Sequence, residues 1–183
     1  NILITWTKLD AATQYTLQRN GLTIATVPNG SPLQVTDPIT QPTLLTYSVI
    51  ALDSCGSKAN QGNYGRPILL QGKIIDNNEY AQIQFSPYAQ WDEAIEYTLH
   101  EIDQGVTIKM ATALPNTEIQ DKALLQENRL EKCYVVEAKT PNGLEAHSNI
   151  LCLPFKPVVF LPNAISPNND NLNESFKPQV FGI

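Results

Sequence analysis

One series of short segments occurs twice in the chain, and this repeat restricts the possible folds more than any other feature of the sequence. The matched residues are Trp6 with Phe85, Tyr15 with Tyr97, Asp37 with Asp121, and Tyr47 with Tyr134. The distance between matched residues grows from 79 to 87 residues along the chain, as expected if loops lengthen in the second copy. We therefore predict two tandem domains of about ninety residues each rather than one large domain.

The segments between the turns have the character of β-strands. Gly, Pro and Asn interrupt the chain about every eight to twelve residues, which is the spacing of strands in a β-sandwich. The stretches 2–7, 14–19 and 45–52 are rich in β-branched or aromatic residues and alternate apolar with polar positions. Because that alternation is typical of strands with one buried face, the sequence predicts an all-β fold.

Each repeat resembles a fibronectin type III domain of the divergent kind found in bacterial surface proteins. The resemblance rests on an aromatic residue of the second strand, Trp6 or Phe85, and on a Tyr-x-Val-x-Ala pattern in the penultimate strand. That pattern begins at Tyr47 and again at Tyr134. We expect Trp6 and Tyr47 to come from opposite sheets and fill one core, and Phe85 and Tyr134 to do the same. Another two-sheet Greek-key sandwich is the alternative.

The repeat also predicts the domain boundaries. We expect a first sandwich at residues 1–68, here called the first repeat, and a second sandwich at 69–155, the second repeat. Residues 156–183 would be the first strand and turn of a truncated third β domain. The first repeat begins directly at its second strand and has no initiator Met, so we expect further chain upstream.

The positions of the three cysteines suggest one disulfide. If Asn142 and Gly143 form a two-residue hairpin turn, opposed residues have numbers that add up to 285, so Cys133 faces Cys152. Facing strand residues lie close enough for a disulfide, which would indicate an oxidising compartment; two free thiols are the alternative. Cys55 has no candidate mate in the chain. It either pairs with an upstream segment or is a free, buried thiol.

Charge and hydropathy exclude two classes of partner. The net charge is -6 and only 12 residues are Lys or Arg, which argues against binding to a nucleic-acid backbone. The apolar runs, such as 66–70 and 156–162, are far shorter than the ~20 residues of a membrane-spanning helix, so we expect no membrane span.

The sequence offers little support for catalysis. Neither His100 nor His147 has a nucleophile or carboxylate partner indicated by the sequence, and both are expected at solvent-facing strand positions. No Gly-rich phosphate loop, zinc-protease motif or paired-cysteine motif occurs. The acidic clusters resemble ordinary solvated loops and comprise Asp92, Glu93, Glu96, Glu127 and Glu131. We therefore expect no enzyme activity and no cofactor.

An Asn-rich turn follows a short apolar strand, 158–161, that has a buried character. Asp170, Asn173 and Glu174 offer oxygen ligands at the short spacing that Ca²⁺ prefers, which makes them a weak candidate calcium site. The EF-hand pattern is absent, and an Asn-rich turn needs no ion to fold. We favour the plain turn.

The same stretch resembles the start of the gliding-motility-associated C-terminal domain, the type B sorting domain of type IX secretion. The positions that match the family pattern are Pro162, Asn163, Ala164, Ser166, Pro167, Asn168, Asp170, Asn173 and Phe176. The chain departs from the pattern at Ile165 and Glu174. It also has Asn169 and Asn171 where the family has Gly, and Asn tolerates the left-handed backbone that such a turn requires. A Ser-Asn-x-x-Cys segment at 148–152 precedes the motif, as it does in family members.

The resemblance implies a large secreted or cell-surface protein of a gliding-type Gram-negative bacterium. Its partners would be the type IX secretion translocon and the outer-membrane shuttle or attachment proteins. The two sandwiches would form a non-catalytic, adhesin-like stalk that carries an upstream region, through which a surface ligand could bind.

Two other functions stay open at this point. The segment could be the C-terminal tail of a secreted enzyme, whose catalytic residues would lie upstream. Alternatively, one sandwich could be a ligand- or carbohydrate-binding module. Tyr80, Tyr88 and Trp91 are the candidate aromatics for such a site, although packing explains them more simply.

Overall fold

The computed structural model describes residues 1–39, 45–76, 79–89, 95–111, 116–122, 131–161, 165 and 175–181. The strands of the first repeat are β1 (Ile2–Thr5), β2 (Gln14–Arg19), β3 (Leu22–Pro28), β4 (Gln34–Asp37), β5 (Tyr47–Leu52) and β6 (Lys58–Gly65). Those of the second repeat are β7 (Leu70–Ile75), β8 (Tyr80–Phe85), β9 (Glu96–Asp103), β10 (Val106–Ala111), β11 (Glu118–Lys122), β12 (Glu131–Lys139), β13 (Glu145–His147) and β14 (Leu151–Pro154). The C-terminal strands are β15 (Val158–Phe160) and β16 (Gln179–Phe181).

The strands of the first repeat form two antiparallel sheets. β1 pairs with β4 in the smaller sheet, and the larger sheet has the order β3-β2-β5-β6. Because β5 follows β4 in the chain but pairs with β2, the chain crosses from one sheet to the other between them. This is the strand order of a fibronectin type III-like sandwich that lacks a first strand.

Apolar side chains of the two sheets meet around Tyr47. Its buried side chain forms one cluster with Leu17 and Leu45, against which Ile4 of β1 and Val35 of β4 pack. Residues of both sheets therefore share one core, as expected of a sandwich.

Trp6 is partly buried and packs in a cluster next to that of Tyr47, and Val49 packs against both clusters. Trp6 packs against Ala12, Tyr15 and Ala51, with a centroid distance of 5.8 Å between the Trp6 and Tyr15 rings. Among the described residues, the buried indole N–H of Trp6 has no hydrogen-bond acceptor.

The second repeat has the same strand order with two more strands, β7 and β14. β7, β8 and β11 form a three-stranded sheet in the order β11-β8-β7. The other sheet has the order β10-β9-β12-β13, and β14 also pairs with β12. β7 has no counterpart among the described residues of the first repeat. The prediction of two tandem immunoglobulin-like or fibronectin type III-like sandwiches, followed by a further β segment, is confirmed.

Alternation places the large apolar residues of the second repeat inside. On β8, Ala81, Ile83 and Phe85 are buried, and on β12 Tyr134 and Val136 are fully buried. Phe85 and Tyr134, which the sequence matched to Trp6 and Tyr47, are thus both core residues.

Matching hairpins join β2 to β3 in the first repeat and β9 to β10 in the second. In the first repeat, Asn20 and Gly21 connect β2 to β3 with φ angles of 49° and 80°. In the second repeat, Gln104 and Gly105 connect β9 to β10 with φ angles of 48° and 82°. A type I′ turn requires two consecutive positive φ angles, so the two repeats also share the same type of hairpin turn.

The turn after β12 differs from the predicted two-residue turn. Gly143 has a φ of 83°, but Asn142 does not have a positive φ, and the N–H of Gly143 donates to the Thr140 carbonyl at 3.0 Å. Thr140 also donates to Leu144, so the turn has three residues and the register beside it is Lys139 with Glu145. The predicted two-residue geometry at this turn is therefore wrong.

The chain forms two compact units. One consists of Asn1–Leu69, Ser86–Tyr97 and Glu137–Asn149, and the other of Leu70–Phe85, Thr98–Val136 and Ile150–Ile183. The predicted boundaries at 68/69 and 155/156 stay a prediction. In the described part of the chain, no helix has the length and apolar character needed to span a bilayer.

Candidate functional site

The two cysteines predicted to pair are joined in the structure. Cys133 on β12 and Cys152 on β14 are register partners, with 4.0 Å between their Cα atoms, and their sulfur atoms form a disulfide. Tyr134 is opposite Leu151 in the same ladder. The disulfide therefore links two neighbouring strands of one sheet.

A carboxylate lies beside this disulfide without making a metal site. Glu131 and the two sulfur atoms of Cys133 and Cys152 lie within 4.8 Å of one another. A cysteine binds a metal ion as a thiolate, and both sulfur atoms here are used in the disulfide bond. This group is therefore a structural cross-link.

Cys55 is a free cysteine with an exposed side chain, so the expectation of a buried thiol is wrong. It lies in a tight turn in which the backbone N–H groups of Cys55 and Ser57 donate to Asp53 Oδ1, at 2.9 and 2.8 Å.

Eight of the nine residues of the predicted sorting motif lie outside the described residues. These are Pro162, Asn163, Ala164, Ser166, Pro167, Asn168, Asp170 and Asn173. The candidate calcium ligands Asp170, Asn173 and Glu174 lie outside them as well. Phe176, the ninth motif residue, is described and its side chain is 51% exposed.

The strands that flank the motif pair with each other. β15 and β16 are antiparallel, with Val158 opposite Phe181 and Phe160 opposite Gln179. Val159 and Phe160 are 55% and 50% exposed, so the expectation of a buried strand here is wrong. The motif therefore lies in sequence between two paired strands, and the apolar side chains of Val159 and Phe160 on the first of them face solvent.

A buried carboxylate holds the end of the first repeat together. Arg19 Nη1 donates to both carboxylate oxygens of Asp37 at 2.9 Å, and the Tyr47 hydroxyl donates to Asp37 Oδ2 at 2.6 Å. Asp37 is only 4% exposed. Burial raises the pKa of Tyr47 well above its ordinary range, and the hydrogen bond to Asp37 raises it further. Tyr47 is consequently a permanent donor at neutral pH rather than an acid–base group.

The second repeat has a cluster of the same type with different members. The Tyr134 hydroxyl donates to Asp121 Oδ2 at 2.7 Å. Lys132 Nζ lies 2.9 Å from Asp121 Oδ2 and 3.3 Å from Glu101 Oε2, and its side chain is 4% exposed. One buried ammonium group is thus held by two carboxylates.

The sequence contains one signal for these clusters. Asp37 with Asp121 and Tyr47 with Tyr134 are two of the matched pairs of the repeat. The cations were not predicted, because a charged residue on a strand is ordinarily assigned to the solvent face.

The aromatic residues of the possible ligand site are engaged in packing. The Tyr88 N–H donates to the Tyr97 hydroxyl at 2.8 Å, and burial raises the pKa of both phenols. A Cβ on Gly65 would lie 2.7 Å from Tyr88 Oη, so Tyr88 lies against the backbone there. Tyr80 contacts Lys122, whose Nζ is 5.6 Å from the ring centroid. Trp91 lies outside the described residues.

No protein-family model matches the chain, and no curated protein matches it. Among solved structures, the chain is similar to the central fibronectin-III array of RIM-binding protein. The sequence identity is 13% and the TM-score is 0.32, over 91% of this chain and 70% of that one. The strand order and register described above remain the basis of the fold assignment.

Proposed function

We propose that this chain is a non-catalytic spacer segment of a large secreted or cell-surface protein, with an export signal for type IX secretion in its C-terminal part. The observation that carries the spacer role is the duplicated sandwich. Each repeat has its own strand series, its own buried aromatic core and its own carboxylate–tyrosine bond. Independent modules in series are the usual construction of an extended stalk.

The disulfide supports a destination outside the cytoplasm. Disulfides form and persist in oxidising compartments such as the periplasm and the cell exterior. The bond between Cys133 and Cys152 closes a loop across a sequence separation of 19 residues within the second repeat. We infer that the protein acts outside the inner membrane of a Gram-negative bacterium.

The export role rests on the motif at residues 162–176. Its nine matching positions fill most of a short pattern that otherwise begins a sorting domain, and they follow a Ser-Asn-x-x-Cys segment. Under this proposal the partners are the type IX translocon and the outer-membrane shuttle or attachment proteins. Exposed apolar side chains at Phe160 and Phe176 are compatible with further β-structure or a receptor covering this end.

The proposal is tested by scrambling residues 162–176 at constant composition in the natural gene. We expect the scrambled protein to be retained in the periplasm, whereas the unaltered protein reaches the cell surface or medium. A variant with residues 29–31 in reversed order changes an Asn-Gly-Ser turn of similar composition in the first repeat and should be exported normally. Surface proteolysis and immunoblotting of cell fractions measure the distribution. Unchanged export of the scrambled protein would show that the motif is not the signal.

A further inference from the structure

The two buried clusters place their charges at exchanged positions of the repeat. Arg19 of the first repeat is matched by Glu101 of the second, four residues after Tyr15 and Tyr97 respectively. Lys132 of the second repeat lies two residues before Tyr134, and the matching position in the first repeat, two residues before Tyr47, is the apolar Leu45. The Asp and Tyr members are the same in both repeats. The cation comes from a different strand in each repeat, and the second repeat has Glu101 as an additional carboxylate.

Both positions lie where neighbouring strands meet. Arg19 is the register partner of Tyr47 across β2 and β5, and it contacts Asp37. In the second repeat β9 and β12 are neighbours, and Lys132 of β12 contacts Glu101 of β9. Each native pairing therefore brings every one of these carboxylates into contact with a cation.

Exchange of one strand between the repeats would leave some of these buried charges without a partner of opposite sign. If β9 replaced β2 beside β5, Glu101 would lie next to Asp37, and Leu45 would supply no cation. If β2 replaced β9 beside β12, Arg19 would lie next to Lys132 with Asp121 as their shared carboxylate. The first arrangement leaves two buried carboxylates without a counter-ion, which is strongly unfavourable, and the second brings two cations to a single carboxylate.

We propose that the exchanged charges form a pairing code that keeps β2 with β5 and β9 with β12 during folding. Two sandwiches of the same strand order in one chain are exposed to strand exchange, within the chain or between copies. Charges that are satisfied only in the correct pairing select against the wrong one. The code acts on the partnership of these strands. It does not distinguish β4 from β11, because Asp37 and Asp121 are equivalent.

Two double variants and one quadruple variant of the full chain test the code. Glu101→Arg with Lys132→Leu gives the second repeat the charges of the first. Arg19→Glu with Leu45→Lys gives the first repeat the charges of the second. The quadruple variant carries all four substitutions, so the two codes differ again but have changed places.

The measurement is the yield of native monomer on refolding from urea with the disulfide intact, at several protein concentrations. We expect each double variant to lose native monomer by roughly fivefold or more to exchanged dimers and misfolded monomers, with losses growing with concentration. Size-exclusion chromatography separates these species, and amide hydrogen exchange identifies the native fraction. The quadruple variant should refold to within about twofold of the natural protein.

The quadruple variant separates loss of pairing specificity from simple destabilisation. If the substitutions acted only by weakening each cluster, the variant with four changes would refold worst. A quadruple variant that refolds no better than the double variants would overturn the proposal. Double variants that refold with the natural yield would overturn it equally.

Discussion

The two repeats share a tyrosine–carboxylate bond but differ in how far the cation beside it is buried. In the first repeat the anion is enclosed: Asp37 is 4% exposed, whereas the Arg19 side chain is 37% exposed. In the second repeat the cation is enclosed together with its carboxylates: the side chains of Lys132, Glu101 and Asp121 are 4%, 10% and 14% exposed. The forked guanidinium can satisfy Asp37 from the rim, but a compact ammonium inside the strand needs more than one acceptor. The fold thus fixes the tyrosine and the aspartate, and the cation can come from either neighbouring strand.

The largest effect is expected from removing the enclosed cation. Lys132→Met should lower the free energy of unfolding of the second repeat by about 3–5 kcal/mol, because Glu101 and Asp121 lose their buried counter-ion. Urea unfolding followed by amide hydrogen exchange measures it. Lys122→Met, on the exposed side of β11, is the control and should cost less than about 1 kcal/mol. Equal losses of stability in Lys132→Met and Lys122→Met would contradict the special role given to the enclosed cation.

The disulfide has no counterpart in the first repeat, so its loss should be felt in the second repeat alone. Replacing Cys133 and Cys152 together by Ala should cost about 3 kcal/mol, the entropy of closing a loop of this length. Cys55→Ala is the matched control, because that side chain is exposed and free, and should leave stability unchanged. Mass spectrometry without reductant should show the linked peptides. Two alkylatable thiols at these positions would contradict the assignment.

Removing the rim cation should cost less than removing the enclosed one. Arg19→Met should destabilise the first repeat by about 2 kcal/mol, because Asp37 keeps the Tyr47 donor but loses a two-oxygen contact. The stability of Arg19→Lys should fall between that of the natural protein and that of Arg19→Met, since an ammonium group cannot reproduce the two-oxygen contact of the guanidinium. Trp6 fluorescence during urea unfolding, measured with Trp91 replaced by Phe in every variant, reports on this repeat. A larger loss here than in Lys132→Met would reverse the ranking proposed above.

One additional strand of the second repeat, β7, can be tested at its closest contact. A Cβ on Gly72 of β7 would lie 2.7 Å from the Gln82 carbonyl oxygen and 3.0 Å from Leu151 Cδ2. The first contact is backbone and cannot move aside, so Gly72→Ala should cost about 1–2 kcal/mol. Gly30→Ala has open space around it and is the matched control in the first repeat. Thermal unfolding of both variants against the natural protein gives the difference.

The smallest effect concerns the raised pKa of Tyr47. Since the folded state favours the neutral phenol, its contribution is complete below the ordinary tyrosine pKa of about 10 and is lost as pH rises through the raised value. Tyr47→Phe should cost about 1 kcal/mol at pH 7 and should lessen the fall in stability at alkaline pH. Tyr64→Phe, at an exposed site, should do neither. An unchanged alkaline profile in Tyr47→Phe would rule out this origin.

The strand series and the repeat could be predicted because they depend on local periodicity and on turn residues. The clusters could not, because their members come together only in the folded sheets. Arg19 and Asp37 are 18 residues apart. Nothing in the neighbourhood of Lys132 in the sequence shows that its side chain is enclosed by two carboxylates. A charged residue on a strand predicts a solvent-exposed side chain unless its buried partner is known.

The disulfide shows how a correct prediction can follow from an incorrect step. The three-residue turn gives Glu137 opposite His147, one residue away from the predicted register. β14 is nevertheless in the predicted register at Tyr134 and Leu151, because one extra residue lies in the chain between β13 and β14. The two one-residue shifts cancel at the cysteines. Alternation alone could not reveal either shift.

The exposed strand β15 shows the limit of reading burial from composition. Val158 to Phe160 is as apolar as a core strand, yet two of its three side chains are at least half exposed. Burial depends on whether another surface lies against the strand, which is a property of the tertiary structure. The apolar content of 158–161 therefore indicated a strand correctly and its burial wrongly.

The disulfide also determines how much of the chain can lengthen under load. Cys133 and Cys152 lie on neighbouring strands, 4.0 Å apart at Cα. A pull applied through both ends of the chain passes across the sulfur–sulfur bond and bypasses the residues between the two cysteines. Those residues would otherwise add roughly 60 Å of extended chain. The second repeat therefore has a shorter maximum extension than its residue count suggests, and its last strand cannot be peeled from β12 beyond the bridge.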